Sequence, residues 1–345
     1  MSDKLVNHEE ILNWMIEALI KNEVLFEDAK IIAHALTNTS LWGIDSHGIA
    51  RVTHYFRRFE NGTINKEPKL KFTKTAAASG QVDGDDGHGI VVMTKATSCS
   101  IELAKDAGVG VVGVLNSSHC GAIGLYTRQI CEAGMVGLSF TQTDSLVVPH
   151  EGKKPFFGTN PISIAFPTEN VDEPICLDMA TSIVPWNYIV NARREKSKVP
   201  IGFGVDKHGE DSEIVDDIIA VKPIANHKGY ALAFLIDMLC GPLNGMSYGP
   251  NISSMYKDLD KKRKLGSLVI AIDPERFGGR DTIRTVGTAI IKHVKFQNDH
   301  VLFPGEPEYI NKKIRIKEGI PVSKAVSEDF NLWADKLGIH RPNYF

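Results

Sequence analysis

The chain has 345 residues, 43% of them hydrophobic and 23% charged, and its 39 basic and 42 acidic side chains give a formal net charge of −3. These values are typical of a globular protein of roughly two domains, and they argue against a nucleic-acid or membrane-surface partner. The amino terminus lacks the apolar run of a signal peptide, and no window is long and apolar enough to span a bilayer. We therefore expect a cytoplasmic protein without a membrane contact.

The cysteines also indicate a reducing compartment. They are odd in number, scattered, and free of any Cys-x-x-Cys pair: Cys99, Cys120, Cys131, Cys176 and Cys240. This spacing predicts neither a disulfide framework nor a zinc ribbon.

The chain is predicted to begin with a small helical unit. Asn7 to Glu10 forms a helix-capping box, and apolar residues follow it at helical spacing. A second helix is predicted from about 27 to 36, and a third from His47 to Phe59. Around 65–68 the pattern changes to short polar and glycine-rich segments, which mark a domain boundary.

The glycines from Gly108 to Gly113 spell Gly-x-Gly-x-x-Gly, the dinucleotide fingerprint of Rossmann folds. That fingerprint requires a strand before the glycines and a helix after them, so that the pyrophosphate meets the helix amino terminus. Here the order is reversed, because 101–107 has a helical pattern and 109–115 is a β-branched run. We interpret the glycines as a helix stop and as strand residues packed closely against a neighbour.

The rest of the chain alternates between strand and helix patterns, which is typical of an α/β protein. His119 follows the predicted strand 109–115, at the start of a turn into a helix that ends near Gly134. The segment 231–239 is apolar nearly all round, which predicts a buried helix. Further strands are predicted at 136–142, 162–166, from 175 and at 267–273, and further helices at 93–107, 282–295 and 323–337.

The segment from Gly43 to Tyr55 carries the clearest candidate site. If it is helical after Gly48, then His47, Arg51 and Tyr55 fall at i, i+4 and i+8 and share one polar face. A guanidinium can hold a carboxylate with two hydrogen bonds, and a histidine one turn away can reach the adjacent carbon, so the pattern favours a small 2-hydroxy or 2-oxo acid as ligand. The alternative is an amphipathic surface helix with a solvated polar side.

Two further residues are candidates on their position alone. His119 lies at a strand-to-helix junction, a common place for catalytic groups in α/β folds, although a lone loop histidine is more often a hydrogen-bonding residue. Lys228 lies at the entrance of the apolar segment, where a lysine can face a phosphate or a nicotinamide ribose. The alternative is a surface lysine extending from a helix end.

Taken together, five motifs in one order resemble the malate/L-lactate dehydrogenase family over nearly the whole chain. They are Gly43-Ile44-Asp45-Ser46-His47-Gly48-x-x-Arg51-x-x-x-Tyr55, Ser118-His119-Cys120-Gly121, Gly158-Thr159-Asn160-Pro161, Leu177-Asp178-Met179-Ala180-Thr181-Ser182 and Lys228-Gly229-Tyr230. The resemblance implies an α/β, non-Rossmann nicotinamide-binding fold with a mixed sheet plus a helical domain. It also implies a homodimer, with a helical substrate and dimer-contact domain (1–72 with 310–345) beside a cofactor domain (73–309).

The resemblance also implies roles for individual residues. Arg51 would bind the substrate carboxylate and His119 would be the acid/base, with His47 as the alternative. The other expected contributors are Asp144, which would orient an imidazole, Tyr55 and Ser46 at the substrate, and Thr143, Asn160, Asp178, Met179, Ala180 and Lys228 at the cofactor. The cofactor is expected to be NAD, with NADP open, and no metal is expected.

Within the family, three stretches are most similar to the members that oxidise (S)-ureidoglycolate to oxalurate: 147–149, 184–186 and 253–259. Malate, L-lactate and sulfolactate remain the alternative substrates. The alternative from a different class is a metal-dependent hydrolase or lyase built on His47, His54, His119 and Asp144, for which the sequence has no local ligand spacing such as His-Glu-x-x-His.

Overall fold

A computed structural model of the chain describes residues 4–298 and 300–345. Its strands are β1 (Lys4–Val6), β2 (Lys71–Lys74), β3 (Ser79–Asp83), β4 (Val109–Ser117), β5 (Val136–Thr141), β6 (Ile162–Phe166), β7 (Ile175–Met179), β8 (Gly204–Val205), β9 (Ala220–Val221), β10 (Leu265–Ile272) and β11 (Ile320–Val322). Its α-helices are α1 (His8–Lys21), α2 (Phe26–Leu41), α3 (Val52–Glu60), α4 (Gly89–Ala107), α5 (Gly124–Glu132), α6 (Trp186–Glu195), α7 (His227–Cys240), α8 (Arg280–Lys295), α9 (Glu306–Glu318) and α10 (Lys324–Leu337).

A seven-stranded mixed sheet in the order β2-β3-β4-β10-β5-β6-β7 forms the centre of the molecule. Only β3 and β4 run parallel among its neighbouring strands. Alternate residues of the central strands enter different cores: Val112 and Val269 pack with α4, whereas Val111 and Ile270 pack with α7. A sheet buried on both faces explains why β4 and β10 are apolar without a period of two.

The helical unit has a core of its own, in which α1, α3 and α10 meet. The ring of Trp14 lies 5.1 Å from that of Phe330, and Phe56 lies 5.0 Å from Trp333. The chain returns to this unit at its end, where β11 pairs with β1. Two separate cores support our proposed division into 1–72 with 310–345 and 73–309, although Ile90 and Val91 of α4 belong to the helical core.

The interpretation of the Gly108–Gly113 run is confirmed. Gly108 ends α4 in the left-handed conformation, and the next residues form β4 rather than a loop. A Cβ on Gly110 would clash with the carbonyl oxygen of Ser100 in α4, and one on Gly113 would clash with the side chain of Asn244. The glycines therefore allow close contact between layers of the fold.

Two sequence predictions are wrong in detail. The third helix does not start at His47, because Asp45–His47 and Ile49–Arg51 form two 3₁₀ turns and α3 starts only at Val52. The apolar segment does form α7, but its side chains are not all buried. On one face the exposed fraction lies between 41% and 59% at Leu232, Phe234, Leu235 and Met238. The sequence analysis also missed β2, β3, α6 and α9, which lack a clear periodicity or are short.

Replacing Gly110 tests the packing role of these glycines. Gly110→Ala should lower the free energy of unfolding by about 1–3 kcal/mol, because the added methyl group forces α4 away from β4. NADH affinity, measured by fluorescence, should stay within twofold. The matched control is Gly278→Ala, where a Cβ meets open space and stability should change by less than about 0.5 kcal/mol. A large loss of NADH binding at unchanged stability would contradict the packing role.

Candidate active site

A cleft of about 320 Å³ lies between the helical unit and the sheet. Loops from both parts of the chain line it: Ile44, Ser46, His47, Arg51, His119, Gly121, Ala122, Ile123, Thr143, Asp144, Leu146, Thr159, Pro161, Asp178, Met179, Ala180, Pro185, Trp186, Asn187, Met255, Tyr256, Arg263 and Glu308. Most of the residues predicted for the site therefore meet in one place, although they are distant in sequence.

The two candidate imidazoles lie side by side. His47 and His119 have ring centroids 5.5 Å apart and an interplanar angle of 22°. His47 reaches the cleft from a 3₁₀ turn, and its Nδ1 is 2.8 Å from the hydroxyl of Ser46. His119 comes from the loop after β4, which Ser118 fixes by accepting from the N–H of Gly89 at 2.9 Å.

Tyr55 supports His119 from behind. Its side chain is fully buried in the helical core, and its hydroxyl lies 2.8 Å from Nδ1 of His119. Nδ1 also accepts from the N–H of Gly121 at 3.3 Å, a contact that only the tautomer with its hydrogen on Nε2 can form, whereas the Tyr55 hydroxyl can pair with either neutral tautomer. Tyr55 does not line the cleft, and it orients the imidazole rather than contacting the substrate.

Both imidazoles are held neutral by their surroundings. Burial, reinforced by the positive charge of Arg51, lowers the pKa of His47 to about 3. Burial is also the main cause that lowers the pKa of His119 well below its usual value, with further contributions from His47 and Arg51. A neutral imidazole can accept a proton from a hydroxyl group, so the site is prepared for base catalysis at neutral pH.

Arg51 provides the positive charge of the cleft. It is 9% exposed, and its Nε donates to the carbonyl oxygen of Ser46 at 2.6 Å. Its two terminal nitrogens donate to the hydroxyl of Tyr256 at 3.2 and 3.3 Å. Among the described residues Arg51 forms no ion pair with a carboxylate, so its charge is available to an anionic ligand.

Asp144 lines the cleft, but its predicted contact with an imidazole is not formed. One carboxylate oxygen accepts from Arg263 at 2.9 Å, and the other accepts from the backbone N–H of Met255 at 3.1 Å. Arg263 also donates to the carbonyl oxygen of Ser253. This buried ion pair fixes the segment 253–263, and the orienting function belongs to Tyr55.

The other side of the cleft fits a nicotinamide cofactor. The predicted residues Thr143, Asp178, Met179 and Ala180 all line it. Asp178 accepts from the N–H of Gly124 at 2.8 Å, and burial raises the pKa of its carboxyl group to about 6. An oxygen of Glu308 is buried without a hydrogen-bond partner, which suits an acceptor for a ribose hydroxyl group.

Two predicted cofactor residues lie outside the cleft. The side-chain oxygen of Asn160 accepts from the N–H of Thr143 at 3.0 Å, and its nitrogen donates to the carbonyl oxygen of Ala233 at 3.0 Å. Asn160 is fully buried and joins the Thr143 loop to α7, so its function here is structural. Lys228 is exposed in the first turn of α7 and is not among the lining residues.

The donors proposed for a metal site are engaged elsewhere. Nε2 of His54 accepts from Arg58 at 3.1 Å, and Asp144 is paired with Arg263. Within the described part of the chain, no group of three His, Cys, Asp or Glu side chains is arranged to hold a metal ion. In the same residues, no helix is long and apolar enough to cross a membrane.

The sequence analysis gave no role to several polar lining residues, among them Asn187, Tyr256, Arg263 and Glu308. Asn187, Tyr256 and Arg263 lie in segments without a periodic pattern, and Glu308 lies near the start of the missed helix α9. The one available signal was the polar and aromatic run 253–259, which the sequence analysis used only as a mark of resemblance.

Comparison with known proteins identifies the class that this fold and site define. A model of the malate/L-lactate dehydrogenase family matches residues 6–331, and the chain therefore belongs to this family. It is thus a dehydrogenase of small 2-hydroxy acids, and the family implies a nicotinamide cofactor.

Individual relatives divide among several substrates. The malate/(S)-sulfolactate dehydrogenase of Methanothermus fervidus is 34% identical over 97% of this chain and 98% of its own. The ureidoglycolate dehydrogenase (NAD(+)) of Escherichia coli K12 is 33% identical over 91% and 90%. The structure of sulfolactate dehydrogenase from Methanocaldococcus jannaschii superposes with a TM-score of 0.91, at 33% identity and with 97% and 98% coverage.

The neutral state of His119 predicts a specific pH dependence. Because the pKa of His119 lies well below 6.5, lowering the pH from 8 to about 5 should not protonate it in the free enzyme. His119 should therefore give no inflection near pH 6.5 in kcat/KM for alcohol oxidation, and an inflection from the Asp178 carboxyl group, whose pKa is about 6, should disappear in Asp178→Asn. His119→Asn should lower kcat by about 10²–10⁴-fold, while NADH affinity stays within twofold.

The control for this variant is His34→Asn, since His34 is exposed on α2. It should leave the rate and the pH profile unchanged. Turnover by His119→Asn close to that of the natural chain would contradict the proton-accepting function of His119. An inflection near 6.5 that remains in Asp178→Asn would contradict the lowered pKa of His119.

Proposed function

We propose that the protein oxidises (S)-ureidoglycolate to oxalurate with NAD, which would place it in allantoin catabolism in the cytoplasm. The observation that supports this choice over malate and sulfolactate is the charge of the cleft. Ureidoglycolate carries one negative charge, whereas malate and sulfolactate carry two. A dianion would require a second available cation near the first.

The lining residues provide only one such cation. Arg51 and Arg263 are the basic residues among them, and Arg263 is neutralised by Asp144 at 2.9 Å. The lining also contains the carboxyl groups of Asp178 and Glu308. A second carboxylate or a sulfonate would therefore be buried without a counter-charge, which is strongly unfavourable.

We propose one step for each of these residues, based on its position in the cleft. Arg51 binds the carboxylate, and the neutral His119 removes the hydroxyl proton through Nε2. This step uses the tautomer whose Nδ1–H donates to Tyr55, and it gives up the longer hydrogen bond from the Gly121 N–H. A nicotinamide cofactor, when bound, would supply the acceptor for the hydride from carbon 2. His47, fixed through Ser46, polarises the same oxygen, and it is the alternative base.

A substrate panel tests this proposal. Initial rates of NAD and NADP reduction should be measured with ureidoglycolate, L-malate, L-lactate and sulfolactate. We expect kcat/KM for ureidoglycolate with NAD to exceed that for either dianion by at least about tenfold, because one unpaired charge costs at least 1.4 kcal/mol. A preference for malate or sulfolactate would overturn the substrate assignment and leave the family assignment intact.

The exposed face of α7 supports a homodimer. Leu232, Leu235 and Met238 are spaced three residues apart and lie on one stripe, with exposed fractions of 41%, 59% and 47%. A monomer seldom exposes so continuous an apolar stripe. We propose that a second copy of the chain covers it, because an isologous contact can pair the same stripe on both subunits.

A charge placed on this stripe tests the dimer. Leu235→Glu should convert the protein to a monomer, or raise its dissociation constant by at least about a hundredfold, because two carboxylates would be buried at the interface. Light scattering after size exclusion gives the mass. The control is Leu332→Glu on α10, which is 63% exposed and should leave the dimer unchanged. A natural chain that is monomeric at micromolar concentration would contradict the proposal.

A further inference from the structure

We propose that Tyr256 and Asn187 contact the substituent that carbon 2 of the substrate carries besides its carboxylate and hydroxyl groups. They favour a substituent with an amide or urea group. The inference rests on the proposed function, because it assumes a 2-hydroxy acid held by Arg51 and His119. It concerns the same cleft and names residues that determine specificity.

The first argument is the arrangement of groups around Arg51. A carboxylate on the guanidinium leaves carbon 2 one bond away, and the imidazoles of His47 and His119 define the side of the hydroxyl group. The Tyr256 hydroxyl accepts from both terminal nitrogens of Arg51, at 3.2 and 3.3 Å, so it lies beside the edge of the guanidinium that would bind the carboxylate. A substituent of a few atoms on carbon 2 therefore reaches the Tyr256 hydroxyl.

The second argument is the hydrogen-bonding capacity of the pair. The Tyr256 hydroxyl donates to the side-chain oxygen of Asn187 at 3.1 Å, and the Asn187 nitrogen donates to the carbonyl oxygen of Ser46 at 3.3 Å. A phenol and an amide can each donate and accept. Each group of Asn187 keeps one further position, a second N–H on its nitrogen and a second lone pair on its oxygen, which can pair with the carbonyl and an N–H of a urea. An alkyl substituent would use neither position.

The third argument is that the segment carrying Tyr256 is held firmly. The guanidinium of Arg58, 2% exposed, donates to the carbonyl oxygens of Met255 at 2.9 Å, Lys261 at 3.2 Å and Ser254 at 3.3 Å. Asp144 holds the N–H of Met255 from the other side at 3.1 Å. A recognition group must be fixed before the ligand arrives if it is to discriminate between ligands.

The test compares two substrates of equal charge whose arms on carbon 2 differ in hydrogen-bonding capacity. Malamate has an amide arm on the 2-hydroxy acid, and 2-hydroxybutyrate has an ethyl arm. We expect the natural chain to prefer malamate in kcat/KM, and Tyr256→Phe to reduce the ratio of the two values by about tenfold or more. Asn187→Ala should reduce the ratio in the same direction, with 2-hydroxybutyrate little affected.

Two matched controls lie on α6, beside Asn187. Tyr188→Phe and Asn191→Ala alter exposed side chains and should leave the ratio unchanged. Affinity for oxalurate and for 2-oxobutyrate, measured in the presence of NADH, should show the same selectivity without turnover.

The outcomes separate this inference from the proposed function. If the natural protein does not oxidise ureidoglycolate, the proposed substrate is wrong. If that protein still prefers the amide substrate and Tyr256→Phe removes this preference, the specificity role of Tyr256 is supported. A natural chain without amide preference, or a Tyr256→Phe variant that alters both substrates equally, would overturn the inference even if ureidoglycolate is oxidised.

Discussion

The hydrogen bond between the Tyr55 hydroxyl and Nδ1 of His119 joins the two halves of this molecule beside the candidate active site. Tyr55 belongs to the core of the helical unit, and His119 stands at the end of a central strand of the sheet. The position of the base is thus set by both cores at once. The cleft lies where the two halves meet. The same contact buries the two imidazoles, and burial keeps them neutral.

Neutral imidazoles and an unpaired guanidinium depend on each other. Burial alone disfavours a charged histidine, and the nearby charge of Arg51 adds to this effect at His47. The same charge attracts the carboxylate of a substrate. One arginine therefore recognises the anion and keeps the base in its reactive form, while the Asp144–Arg263 pair fixes the surrounding segment without adding net charge.

Sequence reasoning identified most of the candidate residues that line the cleft, but it predicted their local geometry less well. The α/β class, the strand at Val109 and the structural use of Gly110 followed from periodicity and from the order of helix and strand. The helix predicted from His47 was wrong because the left-handed Gly43 and the extended Gly48 break the chain into short turns. Even so, the same polar residues reach the cleft.

What the sequence could not show depends on long-range contacts. Asp144 looked suited to orient a histidine, and only the fold reveals that Arg263, 119 positions later, takes it instead. Asn160 lies in a motif that suggested cofactor binding, yet its side-chain amide is hydrogen-bonded to Thr143 and Ala233 inside the protein. Asn187 and Tyr256 meet across 69 residues of chain, and no local pattern encodes such a meeting.

Arg58 anchors the segment 253–263, and this separates two tasks that often constrain each other during evolution: holding the segment in place and recognising the substrate. Within this segment Arg58 donates to backbone carbonyl oxygens rather than to side chains, so these contacts do not depend on which side chains Ser254, Met255 and Lys261 carry. Descendants of one ancestor can therefore exchange residues on this segment and acquire new substrates, while the hydride-transfer machinery is inherited unchanged.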